Sequence, residues 1–236
     1  TANAEKNLAN ARELFESQLD DRLCDGSGEW TEKSLGDVCR IASKLVDPRD
    51  PEYADLPHVG AGNMVSRSGE IVDVQTAREE GLKSGKHVFD DEMVLYSKIR
   101  PYLMKVSRPT FDGLCSADVY PLLPSGDDLL RDFLFYLLLS EHFTEYAVRG
   151  SARAGMPKVN RKHLFAYRRP LPAPEEQQRI VAALDEASAN SATLGRIGEQ
   201  KLAHLADLKQ SLLHKAFTGE LTADSKAVDR SISEVI

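Results

Sequence analysis

Apolar positions recur at threes and fours over residues 4–23, AEKNLANARELFESQLDDRL, placing Leu8, Ala11, Phe15 and Leu19 on one face with Leu23 beside it. That period predicts an amphipathic helix, stopped by the turn residues of CDGSG at 24–28. A second helical pattern closes the chain. Pro170, Pro172 and Pro174 punctuate its entry, Glu175 and Glu176 follow where a helix start favours negative charge, and then about forty residues pass without proline. At ~1.5 Å per residue such a helix is on the order of 60 Å long. Its apolar stripe reads Ile180, Leu184, Ala187, Leu194, Ile197, Leu205, Leu208 and Leu212. A stripe this narrow and this long needs a partner along its length, so the spacing predicts a coiled coil, with Ile180, Leu184, Leu194, Leu205, Leu208 and Leu212 as pairing residues. Gly195, Gly198 and Lys201 loosen the middle of that seam.

Between the helices the pattern changes to short segments separated by turn residues. PHVGAGNMVS predicts a strand followed by a bend at Gly60 and Gly62, and residues 66–87 are polar and glycine-punctuated, as in a long surface excursion. FDDEMVLYSKIRPYLMKVS predicts a hairpin-like pair of strands, alternating in VLYSKI and broken at Pro101. GLCSADVYPLLP predicts one more strand. DDLLRDFLFYLLLSEHFTEYAV predicts one helix, with Asp127 and Asp128 in its first turn and Leu130, Phe133, Leu134, Leu137 and Leu138 facing a core. The fold class is therefore α+β: a terminal helix over 1–24, a globular domain over 25–174, a long helix over 175–222 and a tail over 223–236. The segments LANARELF (8–15) and LADLKQSL (205–212) can be laid over one another, as in a chain with two copies of one helix end.

Charge changes the picture only when it is localised. The 236 residues hold 30 Lys+Arg against 37 Asp+Glu, a net charge of -7 that excludes a protein coating nucleic acid by bulk charge. Glu32 to Pro174 contains 20 of each, however, so the acid excess lies outside the middle. Three cysteines, Cys24, Cys39 and Cys115, have no CxxC spacing, which points to buried thiols in a reducing cytoplasm. No apolar run is long enough to predict a membrane span.

No catalytic constellation emerges. The chain has no GxGxxG after a strand, no P-loop, no HExxH and no GxSxG, and its six histidines lack metal-ligand spacing. The pairs Asp90-Asp91 and Asp127-Asp128 are explained by turn and cap duty. The chain reads as a binder. Two runs carry cations and no acid: Tyr146–Pro170, with Arg149, Arg153, Lys158, Arg161, Lys162, Arg168 and Arg169, and Lys98–Thr110, with Lys98, Arg100, Lys105 and Arg108. Inside a domain otherwise rich in acids they predict a localised positive surface suited to a phosphate backbone. Lys98, Arg100, Arg149, Ser151, Lys158 and Lys162 are the candidates for phosphate contacts, and Arg67, Arg78 and Arg153 for base reading. A coiled-coil adaptor that binds protein rather than DNA, and a DNA methyltransferase or nuclease, are the competing classes.

The order PHVGAGNM, VLYSKIRPYLMKV, GLCSADVYPLLP, GSARAGMPKVNRKHL, PLPAPEEQQRIVAALD and LKQSLLHKAFTGELT resembles the specificity subunit of type I restriction-modification systems over nearly the whole chain. The resemblance implies a target recognition domain that reads one half of a bipartite site on double-stranded DNA, and a spacer helix packed antiparallel against a counterpart. It also implies a host-defence complex in which partner modification (methyltransferase) and restriction subunits carry S-adenosylmethionine, ATP and Mg. A member of that family usually holds two such domains. With one, this chain resembles a C-terminal half, or a half-subunit that pairs with a second half or with itself as a homodimer.

Overall fold

A computed structural model describes residues 2–24, 30–151 and 155–218. Residues 25–28 of the expected CDGSG turn, Arg153, the last residues (219–222) of the expected long helix and the tail expected at 223–236 lie outside them. The chain divides into two compact units: Glu16–Asp185, and the segments Thr1–Phe15 and Glu186–Ile236.

The larger unit is closed by its own ends. Strand β1 (Thr31–Ser34) pairs antiparallel with the last strand, β11 (Arg168–Leu171), from Thr31 opposite Leu171 to Ser34 opposite Arg168. An antiparallel four-stranded sheet and a mixed five-stranded sheet lie between. One runs β2 (Cys39–Ile41), β10 (Val119–Pro124), β7 (Val94–Ser97), β8 (Val106–Ser107); the other runs β3 (Leu45–Val46), β6 (Lys86–Phe89), β9 (Gly113–Cys115), β4 (Pro57–Val59), β5 (Gln75–Thr76). Val59, Met64, Phe89, Met93, Leu95, Cys115 and Val119 form a core cluster from segments of both sheets.

The expected hairpin is β7 with β8, Leu95 opposite Ser107, closed over a 3-10 turn at Pro101–Leu103. The expected alternation is absent, since all four residues of β7 are buried. Leu95 joins the core cluster while Tyr96 packs edge-on to Phe143 at 5.5 Å, so both faces of the strand are covered. The single strand expected over GLCSADVYPLLP is two, β9 and β10, in different sheets. Gly113 has no room for a side chain in β9: a Cβ there would stand 2.6 Å from the Pro57 carbonyl oxygen.

The single helix expected after Asp127 is also two. Helix α3 (Arg131–Leu139) starts later, with Asp132 rather than Asp127 or Asp128 in its first turn, and buries seven of its nine residues. Ser140 then turns extended, and its hydroxyl accepts from the Phe143 amide to cap α4 (Glu141–Arg149). Asp128 serves elsewhere, in an ion pair with Lys33 at 2.9 Å.

Helix α6 (Pro174–Phe217) runs 44 residues without a break. Its first three turns belong to the globular unit. Gln177, Ile180, Val181 and Leu184 are buried there, and Asp185 accepts from the Tyr136 hydroxyl at 2.7 Å and pairs with Arg108. The guanidinium of Arg108 lies over Phe135 and Tyr136 and also pairs with Asp132 at 3.3 Å, so this member of the basic run is a packing residue. Ile180 and Leu184 are likewise corrected from pairing residues to core residues: Leu184 is 0% exposed. In the smaller unit the rest of α6 keeps Leu194, Ile197, Leu208, Leu212, Leu213 and Phe217 exposed and Leu205 half-buried. Helix α1 (Ala2–Cys24) spans the expected first helix; Leu19 and Leu23 at its end are buried in the globular unit, and the side chains of Leu8 and Ala11 lie outside the described residues. Among the described residues no helix is long and apolar enough to cross a membrane.

Candidate nucleic-acid interface

The two acid-free runs, far apart in sequence, are joined by main-chain hydrogen bonds. Val159 donates to the Lys98 carbonyl at 2.8 Å and Arg100 donates to the Pro157 carbonyl at 2.9 Å, on either side of an antiparallel bridge between Ile99 and Lys158. Lys98, Arg100, Lys158 and Arg161 are thereby gathered at one place.

Their environments differ. Lys98 is inward: its side chain is 12% exposed, its ammonium donates to the Ala117 carbonyl, stands 3.6 Å from Asp118 and lies 4.9 Å from the Tyr120 ring centroid. Burial, and then the neighbouring Lys158, pull its pKa below the ordinary lysine value, against Asp118, which raises it. Lys98, expected to meet phosphate, is thus mostly buried and engaged by Ala117 and Asp118. Lys158 lies nearer the surface and donates to Asp118 at 2.7 Å. That bond is the main reason the Asp118 carboxyl is held below its usual range. Tyr120 donates its hydroxyl to the Val159 carbonyl at 3.3 Å and lies beneath the Arg161 guanidinium at 5.9 Å. One carboxylate therefore serves two lysines, and Arg161 remains exposed beside them.

Arg100 sits in the left-handed region at φ 48 and Met104 at φ 49, a strained pair flanking the 3-10 turn that carries Tyr102, 51% exposed. Arg67, also left-handed at φ 63, donates its amide to the Met104 carbonyl at 3.1 Å, while its guanidinium pairs with Glu16 at 2.6 Å. Arg78 is bound in a fork to Asp55, 2.7 and 3.1 Å. Arg149 is exposed and loosely paired with Glu145 at 3.7 Å, and Lys162 is exposed on α5 (Arg161–Phe165). Ser151 is corrected: it is 3% exposed and its hydroxyl donates to the Val148 carbonyl at 2.9 Å, so it ties off the end of α4.

Four residues absent from the sequence-based set belong to this place: Asp118, Tyr120, Asn160 and Arg161. Arg161 carried a signal, being inside an acid-free run. Asn160 carried one too, as the N-cap of α5, where its Oδ1 accepts from the His163 amide at 2.9 Å. Asp118 and Tyr120 carried none.

The arrangement supplies cations, an aromatic face and hydrogen-bond donors. Cys39 and Cys115 are buried, with burial pushing the Cys39 thiol up to about 12. Among the described residues no group of three or more His, Cys, Asp or Glu is placed to hold a metal ion.

Residues 27–200 match a family described as the Type I restriction modification DNA specificity domain. The chain is 39% identical over 198 residues to the EcoDI specificity subunit of Escherichia coli, covering 84% of this chain and 44% of that one. It is 26% identical over 165 residues to the HindI specificity subunit of Haemophilus influenzae, covering 65% and 34%. The chain thus spans under half the length of these relatives. In fold it is similar to the HsdS subunit of Thermoanaerobacter tengcongensis, with a TM-score of 0.60 and 23% identity, over 91% of this chain and 52% of that one. A chain from a type I R-M system, solved to explain complex assembly and conformational transition, gives a TM-score of 0.69 at 23% identity, over 91% and 53%.

Proposed function

This chain belongs to the type I restriction modification DNA specificity family, and from that premise we propose that its globular unit reads one half of a bipartite site on double-stranded DNA while partner subunits perform the reaction. The observation that carries the reading is the joining of the two acid-free runs, Val159 to Lys98 and Arg100 to Pro157, which presents Arg100, Lys158 and Arg161 together. Phosphate contacts of this kind give affinity and register; groove contacts give sequence. Base edges are read by Arg67 and Tyr102, a reading supported by the Arg67 amide bond to Met104 and by the exposure of Tyr102 on the strained turn of Arg100.

Long helix α6 acts as a spacer whose exposed leucines pair with a counterpart helix, from a second half or a second copy of the chain. Modification and restriction subunits dock on that framework and bring S-adenosylmethionine, ATP and Mg; this chain contributes the address and not the chemistry. The complex works in the cytoplasm.

The test is duplex binding by fluorescence anisotropy from low to moderate salt, followed by a methyl-transfer assay with modification subunits added. Binding that weakens with salt and methylation confined to a bipartite motif are expected. A chain that fails to bind duplex at low salt, with or without modification subunits, refutes the proposal.

A further inference from the structure

Beside the joined runs lies a pocket of about 270 Å³ lined by Tyr120, Gly150, Ser151, Lys158, Val159, Asn160 and Arg161. We infer that this pocket is the seat of a single DNA phosphodiester, held by Lys158 and Arg161 together. The inference rests on the DNA-binding reading above and names a subsite within it.

Three features of the lining point to a phosphate. First, among the described residues its charged members, Lys158 and Arg161, are both cations, and no carboxylate lines it. Second, its floor is closed to other uses: the Tyr120 hydroxyl is taken by the Val159 carbonyl and the Ser151 hydroxyl by the Val148 carbonyl. What remains free to bond a ligand is mostly donor: the Asn160 amide NH2, since its Oδ1 is occupied by the cap, the Lys158 ammonium and the Arg161 guanidinium. A site rich in donors selects an anion with several acceptor oxygens, and a phosphodiester is the one that duplex DNA offers.

Third, Lys158 already holds an anion. Its bond to Asp118 at 2.7 Å is the internal contact that a phosphate oxygen replaces, so the ammonium changes partner without being stripped of one.

The test compares salt slopes. Each phosphate neutralised on B-DNA contributes about 0.9 to the slope of log Kobs against log salt. With the full chain and one duplex, Lys158→Gln and Arg161→Gln are each expected to lower the slope by about 0.9, and the double variant by the same ~0.9, because the seat holds one phosphate only when both cations are present. Arg161→Lys restores the slope. Arg49→Gln, remote and paired with Asp47, leaves it unchanged. Circular dichroism melting confirms that each variant is folded. Single losses that add in the double variant, or slopes unchanged from the wild type, overturn the seat while leaving DNA binding intact. A wild-type chain that does not bind duplex overturns the reading on which it rests.

Discussion

The Val159 amide donates to the Lys98 carbonyl at 2.8 Å, and with it the last acid-free segment of the globular unit is laid against the first. Everything proposed for the positive face depends on that contact, because no side chain of one run needs to reach the other for the cations to converge.

Under the proposed reading, Asp118 opposes DNA binding. It holds Lys158 at 2.7 Å and Lys98 at 3.6 Å, so an incoming phosphate competes with it. Asp118→Asn is expected to bind duplex several-fold more tightly at about 100 mM salt and with a steeper salt slope. Its melting temperature should fall, since the half-buried Lys98 loses its counter-charge. Anisotropy titrations across salt concentrations, paired with thermal melts, check both signs.

Gln177 is the pin at the start of α6. Fully buried, it donates Nε2 to the carbonyls of Asp128 (2.7 Å) and Pro172 (2.9 Å) and accepts from the Leu130 amide at 2.9 Å. Gln177→Leu strands those three groups in a dry site and is expected to cost about 3 kcal/mol, read as a lowered urea midpoint. Gln177→Glu should do worse, because a carboxylate cannot donate to either carbonyl and adds an unpaired charge.

Gly150→Ala should damage the pocket wall. His163 stacks on Tyr146 with ring centroids 4.1 Å apart and bonds the Tyr146 carbonyl at 2.9 Å; an added Cβ at 1.9 Å displaces it. A loss of about 2 kcal/mol in stability and a several-fold loss in duplex affinity are expected, measured by chemical denaturation and anisotropy.

His87 gives the fold a pH dependence. It is 4% exposed, its Nδ1 has no hydrogen-bond partner among the described residues, and burial is the main cause holding its pKa below the ordinary 6.5. The unfolded chain therefore takes up this proton more readily than the folded one. The stabilisation is fully present above the unfolded value and is lost as pH falls below it towards the lowered folded value. Burial of His142 acts in the same direction. Urea midpoints should decline from about pH 7.5 to about pH 5.5, and His87→Leu should flatten that decline.

The exposed leucines of α6 predict association. Leu208 is 55% and Leu212 47% exposed in the single chain, an apolar stripe left in water. Replacing both by Glu is expected to reduce the sedimentation mass to that of one chain without altering the melting of the globular unit; an unchanged mass would count against pairing through this face.

The long helix was legible because proline spacing and a run of good helix formers are local signals, and α6 starts within a residue of where they place it. The break at Ser140 was not: a serine inside an apolar helical pattern is tolerated in mid-helix and equally suited to capping a new one, and only packing decides. Ile180 and Leu184 share one stripe with Leu208, yet the first two are buried in the globular unit and the third is exposed in the other; periodicity reports a face and not what covers it. The acid-free runs were visible as composition, and their meeting was not, since Lys98 and Val159 are joined by long-range pairing that leaves no local trace. Asp118 was overlooked because it lies outside both runs.

The two bonds that fasten Lys98 to Val159 and Arg100 to Pro157 run entirely between peptide groups. Residue identity at those positions can therefore drift without loosening the frame, provided no proline takes the place of Val159 or Arg100. A scaffold fastened in this way can acquire new preferences by substitution at its rim, one side chain at a time, while its folding remains insured by atoms that every amino acid shares.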